Sequence, residues 1–123
     1  MALKRLSADT VNFSASSSSL KKGESFKDTV QNIEAMKIDA IVMRHPDPGA
    51  SLHLTKFVDS VVINAGDGTH EHPTQAILDM TSLQERFGKV KGLRIGIIGD
   101  IMYSRVARSN IYGLKKLGAE VIL

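Results

Sequence analysis

The sequence predicts an α/β fold, a parallel sheet with flanking helices. Three observations predict it. Compact apolar runs alternate with stretches of helical periodicity, the pattern of β-α-β units. The runs Ile38 to Met43, Val61 to Ile63 and Leu93 to Ile98 each end in a polar or glycine-rich segment. The 123 residues are 42% apolar and 24% charged, which suits one small folded unit or parts of two and not a disordered chain.

Taken in order, the chain is expected to start near the middle of a helix carrying Leu3 and Leu6, and Thr10 to Phe13 reads as a short strand. The serine-rich stretch from Ser14 to Ser19 and the following Lys21-Lys22-Gly23 form a polar loop. Ser25 with Asp28 resembles a capping box, with Asp in the place of the usual Glu or Gln. Phe26, Val30, Ile33 and Met36 then share one helical face. Ile38 to Met43 reads as a buried strand, and Pro46-Asp47-Pro48-Gly49 stops it. A weak helix covers Leu52 to Val58. Val61 to Ile63 is a third short strand, followed by a glycine loop from Asn64 to Gly68.

Pro73 suits the first position of the next helix, where its missing N–H costs nothing. Ala76, Met80, Leu83 and Phe87 give that helix its apolar face, and Gly88 its end. After the strand from Leu93 to Ile98, a last helix runs from about Ser104 to Leu117. Val106, Ile111, Leu114 and Leu117 point inward and Gly118 closes it. Val121 to Leu123 starts another strand. No internal repeat is evident.

Composition excludes several functions. The sequence has no cysteine, so disulfides, thiolate metal sites and cysteine nucleophiles are out. No apolar run reaches the roughly 20 residues of a membrane span. The first ten residues carry Lys4, Arg5 and Asp9 and lack the apolar stretch of a signal peptide, so a cytoplasmic protein is expected. Sixteen basic residues against thirteen acidic ones, a net +3, form no long basic block. Four Phe, two Tyr and no Trp offer no stacking platform, so neither nucleic acid nor membrane is an expected partner. A mild positive excess suits a small anionic ligand, provided the charges converge.

Parallel sheets bind ligands at the carboxyl ends of their strands. Three polar clusters fall there: Arg44-His45, Asp67 to Gln75, and Asp100 to Arg105. Arg44 follows a strand, and its guanidinium can hold two anionic oxygens at once; alone it reads equally as half of a surface ion pair. Ser19 and Lys22 can donate to a phosphate, although by themselves they read as a solvated loop. With Pro73 as first helical residue, His72 is the cap position and Gln75 the third helical residue. Imidazole and carboxamide then share a face. The free N–H groups of a helix start attract negative charge and disfavour a charged imidazole. A neutral, donating His72 is therefore expected.

Competing readings exist for the same residues. Asp67, His70, Glu71 and His72 could be metal ligands, but His-x-His is short and common, and no metal is expected. His72 could be a helix cap and nothing more. Gly99-Asp100 hints at a nucleotide fold, but the G-x-G-x-x-G pattern is missing and no cofactor is expected. Arg105 and Arg108 could be a solvated face; Arg105, nearer the strand end, is the better ligand candidate.

The run Asn64-Ala-Gly-Asp-Gly-Thr-His-Glu-His-Pro-Thr-Gln75, continuing to Asp79, resembles the signature of aspartate carbamoyltransferase catalytic chains. Met43-Arg44-His45, Ser19-Leu-Lys-Lys-Gly-Glu24 and Gly99-Asp-Ile-Met-Tyr-Ser-Arg-Val-Ala-Arg-Ser-Asn110 are similar to the same family, in the same order. Ornithine carbamoyltransferases share the His-Pro-x-Gln element, while the Gly-Asp-Gly approach resembles the aspartate branch more.

The resemblance implies carbamoyl transfer from carbamoyl phosphate to L-aspartate, in pyrimidine synthesis. It implies that Arg44 grips the phosphate and the carbonyl oxygen, that His72 hydrogen-bonds that oxygen and that Gln75 holds the carbamoyl nitrogen. It implies that Arg105 binds an aspartate carboxylate. Ser19, or Ser18 in the alternative register, and Lys22 would reach into a neighbouring subunit's site. A homotrimer with shared sites is implied, with a regulatory or pathway-enzyme partner possible.

The family's Ser-Thr-Arg-Thr-Arg phosphate motif is missing from this sequence, as is most of an aspartate domain. An internal fragment, inactive alone, is therefore expected. Residues 1–80 would be the later part of a carbamoyl-phosphate domain and 81–123 the start of an aspartate domain, joined by the helix 73–87. A non-catalytic fragment or assembly module, or an ornithine-type carbamoyltransferase, is the alternative.

Overall fold

The computed structural model describes residues 2–13 and 25–123. The polar loop with Ser18, Ser19 and Lys22 lies outside the described residues. Helix α1 spans Ala2–Arg5, α2 Phe26–Glu34, strand β1 Ala40–His45, α3 Ala50–Leu54 and β2 Val61–Asp67. Helix α4 spans Pro73–Phe87, β3 Arg94–Gly96, α5 Arg105–Lys116 and β4 Glu120–Ile122. The alternation is the expected one and every strand pair is parallel. The described strands form two separate ladders, β1 with β2 and β3 with β4.

Local chemistry sets most of the element ends. Ser25 caps α2 by accepting the N–H of Asp28 at 3.2 Å, and its hydroxyl donates to the Asp28 carboxylate at 2.6 Å. The capping box is thus closed side chain to side chain. Glu34, at the other end of α2, accepts the N–H groups of Asp59 and Ser60 and so ties the helix to the start of β2. Gly88 stops α4 in the left-handed region, with φ 76°. At the end of α5, Gly118 N–H donates to Lys115 and Ala119 N–H to Leu114, each at 3.0 Å. These two bonds with a left-handed glycine between them are the Schellman closure.

The structure departs from the sequence expectations in several places. Thr10 to Phe13 is irregular and pairs with no strand among the described residues. Strand β1 begins and ends two residues later than expected, and it alternates exposed and half-buried positions; Val42 is 51% exposed. The apolar run predicts a strand buried on both faces, whereas only one face is covered here. The helix expected over Leu52 to Val58 is the earlier, shorter α3, and the strand expected over Leu93 to Ile98 is confined to β3. Met36 lies past the end of α2, and Phe87 and Leu117 are largely exposed, so the apolar stripes of three helices end sooner than their spacing suggests.

The largest departure is at β2. It does not stop at Ile63 but continues through Asn64, Ala65, Gly66 and Asp67. Met43 pairs with Asn64 and His45 with Asp67, so two steps on β1 face three on β2. This bulge lies beside Arg44. The expected glycine loop is thus an irregular strand end, and the chain turns only at Gly68.

Leu54, Val30, Ala76, Val90, Ala107 and Leu114 are buried. Helices α4 and α5 pack closely where Gly113 meets Met80: a Cβ on Gly113 would lie 2.6 Å from Met80 Cε. This contact and the polar links described below hold the start of α5 against the carboxyl end of β2.

Candidate functional site

The site begins with Asp67, the last residue of β2, which is only 1% exposed. Its carboxylate accepts four hydrogen bonds: from Gly49 N–H at 2.6 Å, Asn64 Nδ2 at 2.9 Å, Glu71 N–H at 3.0 Å and the Nδ1 side of His70 at 3.0 Å. Burial alone would raise its pKa; donation by Asn64, Gly49, His70 and Glu71 outweighs that and lowers it to about 2. Asp67 therefore joins the Pro46–Gly49 turn, the end of β2 and the approach to α4. In the sequence it appeared as the first residue of a polar cluster and as one of four metal candidates, with no sign of this linking role.

Those four candidates do not converge. His70 turns to Asp67, the Glu71 carboxylate receives the Ser109 hydroxyl, and His72 Nδ1 faces Thr74 Oγ1 at 3.2 Å. Among the described residues no group of three such side chains is arranged to hold a metal ion.

His72 occupies the N-cap position of α4, as expected, and its carbonyl accepts the first helical N–H groups, from Gln75 and Ala76. Its side chain makes no capping bond. The imidazole is thus free of the structural task that competed with a ligand-binding one. Burial, then Arg105, then Arg44 lower its pKa, against a smaller opposing effect of Asp79. A lowered pKa runs in the direction of the expected neutral imidazole, but the helix start is not the main cause. Desolvation and two guanidinium groups are.

His72 therefore lies within electrostatic reach of two other predicted residues, Arg105 and Arg44. Arg44 comes from the bulge in β1, His72 from the start of α4 and Arg105 from the first position of α5. Gln75 is the third residue of α4, and its Nε2 donates to Asp79 at 2.9 Å. Arg105 packs its guanidinium against Gly66 and donates from Nη1 to the Gly68 carbonyl at 3.0 Å. Ser19 and Lys22 lie outside the described residues.

The sequence reading missed the polar links that hold the site together. Ser109, buried in α5, accepts the His72 backbone N–H at 2.8 Å and donates to Glu71. Asn110 Nδ2 donates to the second oxygen of Asp79 at 2.7 Å. Ser109 and Asn110 stood in the quoted Ser-Arg-Val-Ala-Arg-Ser-Asn stretch, but only their position on α5 opposite α4 reveals what they hold.

Fold and candidate site together describe an α/β protein that carries Arg44 and Asp67 near the carboxyl ends of two parallel strands and His72, Gln75 and Arg105 at the starts of the helices that follow, the region where such folds bind ligands. The family described as aspartate/ornithine carbamoyltransferase, carbamoyl-P binding domain, matches residues 1–85. The chain belongs to this family.

The aspartate carbamoyltransferase catalytic subunit of Christiangramia forsetii is 62% identical over 121 residues, covering 98% of this chain and 39% of that protein. The same subunit of Thermobifida fusca is 61% identical over 122 residues, covering 99% and 39%. The crystal structure of Trypanosoma cruzi aspartate transcarbamoylase in complex with carbamoyl phosphate and aspartate superposes with a TM-score of 0.90 at 35% identity, over 98% of this chain and 39% of that one. This chain thus spans about two-fifths of the length of these relatives.

Proposed function

We propose that this chain forms the carbamoyl-phosphate side of an aspartate carbamoyltransferase. The reaction moves the carbamoyl group of carbamoyl phosphate to the amino group of L-aspartate, giving N-carbamoyl-L-aspartate and phosphate, a step toward pyrimidines. The amine lone pair attacks the carbonyl carbon, a C–N bond forms, the C–O bond to phosphate breaks, and the nitrogen loses a proton.

The observation that carries this reading is His72 at the start of α4, whose imidazole makes no capping bond and is held below the ordinary histidine pKa by burial and by the positive charges of Arg105 and Arg44. In this reading the Thr74 hydroxyl, 3.2 Å from Nδ1, donates to it, and the ring proton is on Nε2. A neutral N–H donor beside fixed positive charge suits a carbonyl oxygen that becomes negative as the amine adds. In this reading Arg44 holds the phosphate and the same oxygen, Gln75 the carbamoyl nitrogen and Arg105 an aspartate carboxylate. Ser19 and Lys22 enter from a neighbouring subunit. No side chain needs to act as a nucleophile; orientation and polarisation carry the catalysis.

Residues 1–80 are assigned to the later part of a carbamoyl-phosphate domain, α4 to the connector and 81–123 to the start of an aspartate domain; the family match over residues 1–85 supports the first of these. The working assembly is proposed as a cytoplasmic homotrimer with shared sites and room for a regulatory or pathway-enzyme partner. Among the described residues no helix is long and apolar enough to cross a membrane.

The test is a carbamoyl-aspartate assay on the chain alone and on the chain mixed with the flanking segments of the Christiangramia forsetii subunit. Activity in the mixture supports the proposal. Lack of product in both, from a mixture shown to associate, overturns it in favour of a non-catalytic assembly module.

A further inference from the structure

We infer that Asp79 is a positioning and specificity-determining residue, fixing which end of the Gln75 carboxamide faces the ligand. The inference rests on the carbamoyl phosphate reading above. Gln75 and Asp79 are four residues apart on α4 and share a face. Gln75 Nε2 donates to Asp79 Oδ1 at 2.9 Å, and Asn110 Nδ2, from α5, donates to Oδ2 at 2.7 Å. All three residues are partly buried.

A carboxylate only accepts hydrogen bonds. The amide of Gln75 must therefore face it with the NH2 group, because the flipped amide would set oxygen against oxygen. Asp79 cannot turn away to relieve that, since Asn110 holds its second oxygen. Among the described residues nothing donates to Gln75 Oε1, which is left as the free acceptor.

The consequence is selectivity at the ligand. A carbamoyl group carries an NH2 that donates and a carbonyl that accepts. A free Oε1 pairs with the NH2 and repels the carbonyl, so it also sets the orientation of the carbamoyl plane. Acetyl phosphate has nearly the same shape but a methyl in place of the NH2. It leaves Oε1 without a partner, and sites built around a hydrogen bond reject such analogues well. Asp79 itself does not touch the ligand; it acts through Gln75.

The experiment compares binding of carbamoyl phosphate and acetyl phosphate by titration to the chain with its complementary segments, for the unaltered protein, Asp79→Leu and Asp79→Asn. The unaltered protein is expected to prefer carbamoyl phosphate by about tenfold or more. Asp79→Leu should lose most of that preference through weaker carbamoyl phosphate binding, with acetyl phosphate little changed. Asp79→Asn retains one acceptor oxygen for Gln75 and should keep most of it.

A merely structural role would weaken both ligands equally, and that result, or an unchanged preference in Asp79→Leu, overturns the inference. An unaltered protein that binds neither ligand overturns the carbamoyl phosphate reading itself, a distinguishable failure. Should Asp79→Leu not fold, the side-chain NH2 resonances of Gln75 in the unaltered protein decide. They should hold their positions as carbamoyl phosphate is added; a large shift, showing that Nε2 turns to the ligand, overturns the inference.

Discussion

The guanidinium of Arg105 occupies the space that a side chain on Gly66 would need. A Cβ there would lie 3.2 Å from Cζ and 3.3 Å from Nε of Arg105. The absence of a side chain at the end of β2 is therefore what lets an arginine from α5 lie against that strand and reach the Gly68 carbonyl. It ties one proposed substrate-binding residue to a backbone position 39 residues earlier in the sequence, from 66 to 105.

Gly66→Ala should accordingly do two things. Its φ of 114° strains any side chain, which costs on the order of 1–3 kcal/mol of stability. The new methyl also displaces the Arg105 guanidinium by a few tenths of an ångström or more. Urea denaturation checks the first effect. Aspartate KM in the complemented assay checks the second, with a rise expected and little change for carbamoyl phosphate.

Asp67 should dominate the acid response of the fold. Its pKa is lowered from 3.8 to about 2, so the unfolded chain takes up this proton first on acidification. Its contribution of about 2 kcal/mol is present above pH 4 and is lost as pH falls through about 2. Asp67→Asn should remove that acid limb. It should also cost about 1–3 kcal/mol at neutral pH, because one oxygen becomes a donor amid four donors. Denaturant midpoints from pH 2 to 7 for the two proteins measure both effects.

His72 should titrate below the ordinary histidine value of 6.5. Its folded pKa is depressed, so the associated stability is present above pH 6.5 and is lost as pH falls through the folded value. An NMR titration of the imidazole should show this, and an apparent pKa above 6.5 would contradict it. In the complemented enzyme, His72→Ala should lower turnover by about a hundredfold, corresponding to roughly 3 kcal/mol of transition-state stabilisation. A near-native rate would remove His72 from the proposed role.

The clearest parts of the fold in the sequence were those governed by neighbours within a turn. Pro73, Gln75, Ala76 and Gly88 state where α4 starts, which face it buries and where it stops, and the structure agrees at both ends. Ser25 with Asp28 and Ser104 with Ala107 are likewise local. The strand ends were harder. An apolar run marks a strand but not how many partners it has, so the half-exposed face of β1 could not be read from Ile38 to Met43. Glycines usually signal a turn, and for that reason the continuation of β2 through Gly66 was missed; the pairing of His45 with Asp67 carries the strand past it.

By itself, then, the amino-acid order determined the β-α alternation, the start of α4 and the spacing of His72 and Gln75 on it. Each of these depends on backbone geometry over three or four residues. The tertiary structure alone decided that Arg105 reaches the Gly68 carbonyl, that Asp67 holds the Gly49 N–H, and that Asp79 meets Asn110. Those contacts link residues 18 to 37 positions apart, such as Asp67 with Gly49 and Arg105 with Gly68. No local periodicity encodes such distances; they arise only when α5 packs on α4 and the strands align.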